Sequence, residues 1–227
     1  MIDVLLLLTV AGVTYYVAGE GAWGAATTAI STILAGLIAM NFFEPICDSM
    51  LGTNSYWQGR LDVIVLVGLF VAGVSGLRFA ADYVSPTYIG VHRMVHEGVR
   101  WGGGLIAGYV TMAFLLTALH TAPLPREFLG FKSERDNLFS TFSPDKQWLG
   151  FTQYVSEKVC RSYPPRIFDG PRFAVGDTAV ITNDVWPSFP IRYATRRERG
   201  GGGQVASAAV PVQVKQVAPS KQSGPAF

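Results

Sequence analysis

Four stretches of the chain lack Asp, Glu, Lys and Arg: 4–19, 21–43, 63–77 and 101–125. A membrane-spanning helix needs roughly 20 mainly apolar residues, with about 17 to 25 tolerated. The second and fourth stretches meet this outright. The first and third meet it with their flanks, because Asp3 and Asp62 sit one residue inside an apolar start and Arg78 can carry its head group outward. The pattern therefore predicts spans near 2–19, 22–43, 61–80 and 101–122. Buried helices of a soluble bundle would show charged outer faces, and these show none. The first stretch opens on Asp3 rather than on basic residues, which reads as a retained span and not a cleaved leader.

The connections carry further signals. Only Gly19, Glu20 and Gly21 separate spans one and two, so these form an antiparallel hairpin. Before span four, Ser85-Pro86 reads as an N-cap with proline at the first helical position. Val91, Met94, Val95 and Val99 then share one side, with His92, Arg93, His96, Glu97 and Arg100 largely on the other. This is the pattern of an amphipathic helix in the membrane interface, with Arg93 and Arg100 at the polar level. Ser143-Pro144-Asp145 is a second N-cap signal. The helix it opens, about 144–160, places Trp148, Phe151, Val155 and Val159 on one stripe. Trp148 then belongs at the membrane surface or under the bundle, with packing on the rest of the tail as the alternative. Short β-like runs, 179–182 and 190–193, are too brief to specify a sheet, and 200–227 has the Gly, Pro, Ser and Gln mixture of a disordered terminus.

Charge sharpens this division. Residues 1–122 hold 11 of the 34 Asp, Glu, Lys and Arg and sum to −3; residues 123–227 hold 23 and sum to +5. The expected organisation is a membrane domain over 1–125, a polar, aromatic-rich tail over 126–199 and a disordered end. The net charge of +2 gives no reason to expect a nucleic-acid partner. Arg78, Arg93 and Arg100 stand against Arg60, Arg126, Lys132 and Arg135 across the membrane, which leaves orientation open.

Candidate chemistry is sparse. His92 and His96 have the i, i+4 spacing of a metal pair, but no third ligand is near and the arrangement is not HExxH, so no metal or cofactor is expected. His120 reads as interfacial. No ionisable residue stands near a span centre, and no nucleophile elbow, phosphate loop or dinucleotide fingerprint is present, so no enzyme is expected. With four spans, the second connection and the tail share a side, so Cys47 and Cys160 are two free thiols by default and would be placed to form a disulfide if that side is oxidising.

In lipid, small residues let helix backbones approach. Span three offers Gly68, Ala72 and Gly76; span four offers Gly103, Ala107 and Thr111 on one line, and Gly104 and Gly108 on the next. Internal likeness is also present. Ile2-Asp3-Val4 resembles Leu61-Asp62-Val63, Ala11-Gly12-Val13-Thr14 resembles Ala72-Gly73-Val74-Ser75, and Trp23-Gly24-Ala25 resembles Trp101-Gly102-Gly103. Two repeated helix pairs and chance convergence of apolar sequence both explain it.

The pattern resembles the colicin V production (CvpA) family over about residues 1–125. Ile2-Asp3 is similar to the apolar-Asp start of the family's first span. Arg100 with Gly103, Ala107 and Thr111 is similar to its Arg and small-residue line at span four, and Ala122-Pro123-Leu124-Pro125 to the close of that span. The family usually has Asp where this chain has Val99, and a basic turn where this chain has Gly19-Glu20-Gly21. The resemblance implies a bacterial inner-membrane protein with a role in toxin production or export and envelope homeostasis, with both termini outside the cytoplasm. It brings no catalytic residue.

The sequence thus predicts an all-α membrane protein of four transmembrane helices, an interfacial amphipathic helix and a partly ordered polar tail. Its partners would be the lipid bilayer and, beyond it, a second copy or other membrane proteins. Two other functions stay open. A transporter or channel subunit would use Thr27, Thr28, Ser31, Thr32 and Asn41 on span two; a membrane-anchored binding module would act through the tail.

Overall fold

The computed structural model describes residues 2–51, 58–84, 92–122, 131, 138, 139, 141–159, 168, 189 and 193. Described in it are five helices: α1 Ile2–Gly19, α2 Gly21–Leu51, α3 Gln58–Val84, α4 Arg93–Thr121 and α5 Pro144–Lys158. The first four are long and apolar enough to cross a membrane. Over the described residues the chain is an all-α membrane protein. Cys160, the 179–182 run and the residues from 194 onward lie outside the described residues, as do Ser85 and Pro86.

Three helices are longer than the hydropathy pattern indicates, and α3 runs from Gln58 to Val84 where 61–80 is expected. α2 has 31 residues and continues through Pro45, whose ring removes one internal hydrogen bond. On either side of that proline, Phe43 and Cys47 belong to a core shared with Phe168, Phe189 and Tyr193, so tertiary packing sustains the extra turns. α4 has 29 residues, and the amphipathic segment is its N-terminal end rather than a separate element. His92 caps it, its ring nitrogen accepting from Met94 N at 3.4 Å. At about 1.5 Å per residue α4 is about 44 Å long against a hydrocarbon layer of about 30 Å, so Arg93 and Glu97 project beyond the bundle.

α2 and α4 lie side by side and run parallel at the centre. α1 packs chiefly on α4, α3 chiefly on α2, and α1 and α3 do not touch. Alternation of direction puts the α1–α2 turn on one side of the membrane, here the hairpin side, and the start of α1, the end of α2 and α5 on the other, the tail side. Exposed Tyr15, Tyr16, Phe79, Tyr83 and Trp101 collect toward the hairpin side; Phe42, Phe139, Phe142 and Tyr154 collect toward the tail side. Trp23 and Phe42 stand 19 residues apart on α2, about 28 Å, which matches the thickness a bilayer requires.

The neighbour pattern is that of two hairpins related by an approximate two-fold axis along the membrane normal. On that axis Ala25 meets Gly103 and Gly36 meets Phe114, in each case 78 residues apart. Trp23 and Trp101 have the same offset. The outer helices do not keep the correspondence. Gly73 packs into Ala35 of α2, whereas Gly12, its counterpart by sequence, has open space around it. The likeness of 11–14 to 72–75 is therefore not a likeness of packing.

The main core joins α2, α3, α4 and α5 through Met40, Phe43, Leu66, Phe70, Phe114, Trp148 and Leu149. Phe70 and Phe114 stack with ring centroids 4.1 Å apart. A smaller cluster on the tail side seats Phe131 among Ile2, Leu6, Met112 and Leu116. Residues on both sides of position 125 thus share one core.

Candidate functional site: helix seams and polar latches

The closest approaches to the backbone of another helix centre on glycines of α4. A Cβ added at Gly103 would stand 2.8 Å from the Ala25 carbonyl oxygen, and one at Gly104 the same distance from the Thr14 carbonyl oxygen. One at Gly108 would meet the Thr14 hydroxyl and the Val10 carbonyl oxygen, each at 2.8 Å. Ala107 is fully buried between them. α4 thus touches α1 and α2 with backbone against backbone, as small residues permit in lipid. The line Gly68, Ala72 and Gly76 does not do this on α3. All three are exposed, and a Cβ added at either glycine would meet nothing within 4 Å. The inward face of α3 is set instead by Leu66, Phe70 and Gly73, because the larger apolar residues lie on the other side of the helix.

The hairpin side carries a clasp. Arg78 pairs with Glu20 at 3.1 Å and Asp82 at 3.5 Å, and donates to the Gly24 carbonyl oxygen at 3.0 Å and to the Thr27 hydroxyl. Arg100 Nε donates to the Ala18 carbonyl oxygen at 2.5 Å, and its guanidinium pairs with Glu97 at 3.6 Å. Two arginines from α3 and α4 therefore hold the α1–α2 turn. Arg93 stays exposed. Of the hydroxyls that a path along α2 would use, Thr27 bonds the Trp23 carbonyl oxygen, Thr28 bonds Glu20, and Thr32 bonds the Thr28 carbonyl oxygen one turn back.

On the tail side two polar latches hold α5. His120 Nε2 and Asp145 Oδ2 are 2.8 Å apart and almost wholly buried, with the Phe131 ring edge-on to the imidazole. The C-terminal end of α4 favours a positive group and the N-terminal end of α5 a negative one, so the helix ends suit this polarity. Asn41 and Ser156 bond each other at 3.1 Å near the opposite end of α5. Between the latches Trp148 presses on Gly36, where an added Cβ would stand 2.5 Å from the indole. Trp148 is thus a bundle residue and not an interfacial one. Phe151 and Val159, placed on its stripe by the sequence, are exposed; the buried line runs through Asp145, Trp148, Leu149, Thr152 and Ser156.

Glu44 accepts from the Tyr193 hydroxyl at 3.4 Å. Cys47 is buried, while Cys160 lies outside the described residues. Among the described residues, no three His, Cys, Asp or Glu side chains converge as a metal site would require. The His120–Asp145 pair is what residue-by-residue reading missed. Its signal was a histidine in the last turn of an apolar helix and an aspartate in the first turn of the next. Compared with known proteins, the chain matches no family model, no curated protein and no solved structure.

Proposed function

We propose that this chain is a non-enzymatic scaffold or accessory protein of a bacterial inner membrane, of the colicin V production type, acting in toxin export and envelope homeostasis. The observation that carries the reading is the backbone-to-backbone seating of α4 on both α1 and α2 at Gly103, Gly104 and Gly108. It joins α1, α2 and α4 tightly into one body, suited to holding partners rather than moving past them. The residues behind the resemblance have structural work of this kind. Ile2 packs in the tail-side cluster, Asp3 accepts from Phe139 N at 2.7 Å, and Arg100 fastens the hairpin.

The test is deletion of the gene in a strain that exports a colicin V-type toxin. Lower exported toxin and greater detergent sensitivity, both restored by the intact gene, support the reading. Unchanged export and unchanged sensitivity sink it. Ion conductance by the purified chain in a planar bilayer would turn the assignment to a channel.

A further inference from the structure

α5 turns its polar side toward the bundle. Asp145, Trp148, Thr152 and Ser156 follow one another at spacings of three, four and four, so they form one line along the inward face. Phe151 and Tyr154 point outward. The two ends of the line are latched by His120 and Asn41. Between the latches Asp145 Oδ1, Trp148 Nε1 and Thr152 Oγ1 have no hydrogen-bond partner among the described residues. All three side chains are more than nine-tenths buried. Thr9, Thr32 and Thr117 each close onto a carbonyl of their own helix, and Thr152 does not. An unmet polar group at membrane depth is costly, so such groups face protein partners or water.

The chemistry of the three groups selects the guest. Asp145 Oδ1 accepts, the indole N–H donates, and the threonine hydroxyl does both. A cation is opposed by the indole N–H and an anion by the carboxylate. A small neutral molecule that both donates and accepts suits the whole line. Trp148 rests on Gly36, six residues from the aromatic level of Phe42, so the line reaches about 9 Å inward along α2.

We propose that the seam between α5 and the α2–α4 pair is a water site, a short file of internal water entered from the tail side. It gives the bundle an aqueous crevice along α5 that reaches about a third of the way through the hydrocarbon layer, and it stands independently of the scaffold reading.

The test uses the full chain in lipid nanodiscs, with Cys47 and Cys160 replaced by serine and one thiol introduced by Thr152→Cys or, as a lipid-facing control, Ala72→Cys. Silver ion, which travels in water and is close to water in size, is the probe. Loss of subsequent maleimide labelling gives the rate. The Thr152→Cys thiol should react at least about tenfold faster than the control. A rate no faster than the control overturns the proposal. If the serine background does not fold, Thr152→Val in the otherwise unaltered chain carries the test. Loss of a hydrated hydroxyl lowers the melting temperature by a few degrees, whereas a dry hydroxyl gives an unchanged or raised one and sinks the idea.

Discussion

At the scale of single residues, His120 and Asp145 are bound to each other's fate. The carboxylate has the imidazole as its bonded partner, and both side chains are almost wholly buried. His120→Leu strands that carboxylate, and the expected loss is about 3–5 kcal/mol of stability, the range for a buried group deprived of its partner. His120→Leu with Asp145→Leu removes both polar groups and should recover most of that loss. Thermal melting of the purified chain separates the cases, and equal stability of the single and double variants would exclude a coupled pair. The glycines make a second prediction. Gly104→Ala drives a methyl into the Thr14 carbonyl and should cost about 1–3 kcal/mol by forcing α1 from α4. Gly76→Ala meets open space and should be neutral or stabilising by up to about 1 kcal/mol, since alanine favours the helix. Sequence spacing treats both positions alike. Their surroundings separate them, and the same melting curves test the difference.

At the scale of elements, the spans were legible and their seams were not. An uncharged apolar run has few fates, so the four long helices follow from composition along the chain. Which face turns inward depends on the neighbour, and in lipid both faces of a helix are apolar. The open line Gly68, Ala72 and Gly76 on α3 and the exposed Phe151 on α5 are the consequence. Hydrophobic spacing points to a stripe through Trp148, Phe151, Val155 and Val159, yet α5 buries Asp145, Thr152 and Ser156 beside the indole. In a membrane protein the polar side of such a helix can be the inward one. Because Trp148 and Leu149 supply its apolar anchorage, Trp148→Ala should loosen α5 by about 3–5 kcal/mol. Limited trypsin digestion reads this directly. Lys146 beside the latch is half-buried, and cleavage there should accelerate in the variant while cleavage after exposed Lys158 changes little. Unaltered protection at Lys146 would mean that the latches alone hold the helix.

At the scale of the whole molecule, the open question is which side of the membrane receives the tail. Counting Lys and Arg near the spans leaves the sides almost even. Geometry weights the count. On the hairpin side Arg78 is folded inward onto Glu20 and the Gly24 carbonyl, and Arg100 onto the Ala18 carbonyl and Glu97. Both act as internal fasteners, and Arg93 is the exposed guanidinium left there. The tail side holds Arg60, then Arg126, Lys132 and Arg135 directly after span four, with a tail that sums to +5. Basic residues near span ends are retained in the cytoplasm, so the tail side should face it. This departs from the orientation that the colicin V production resemblance implies, in keeping with the absence of a basic turn at Gly19-Glu20-Gly21. Alkaline phosphatase and green-fluorescent reporters fused after Phe227 decide between them. Fluorescence without phosphatase activity is expected. It would put the buried Cys47 at the reducing side, where the Cys47–Cys160 bridge has no reason to form. Phosphatase activity would reverse the orientation and restore that bridge as a live structural question, testable by migration with and without reductant.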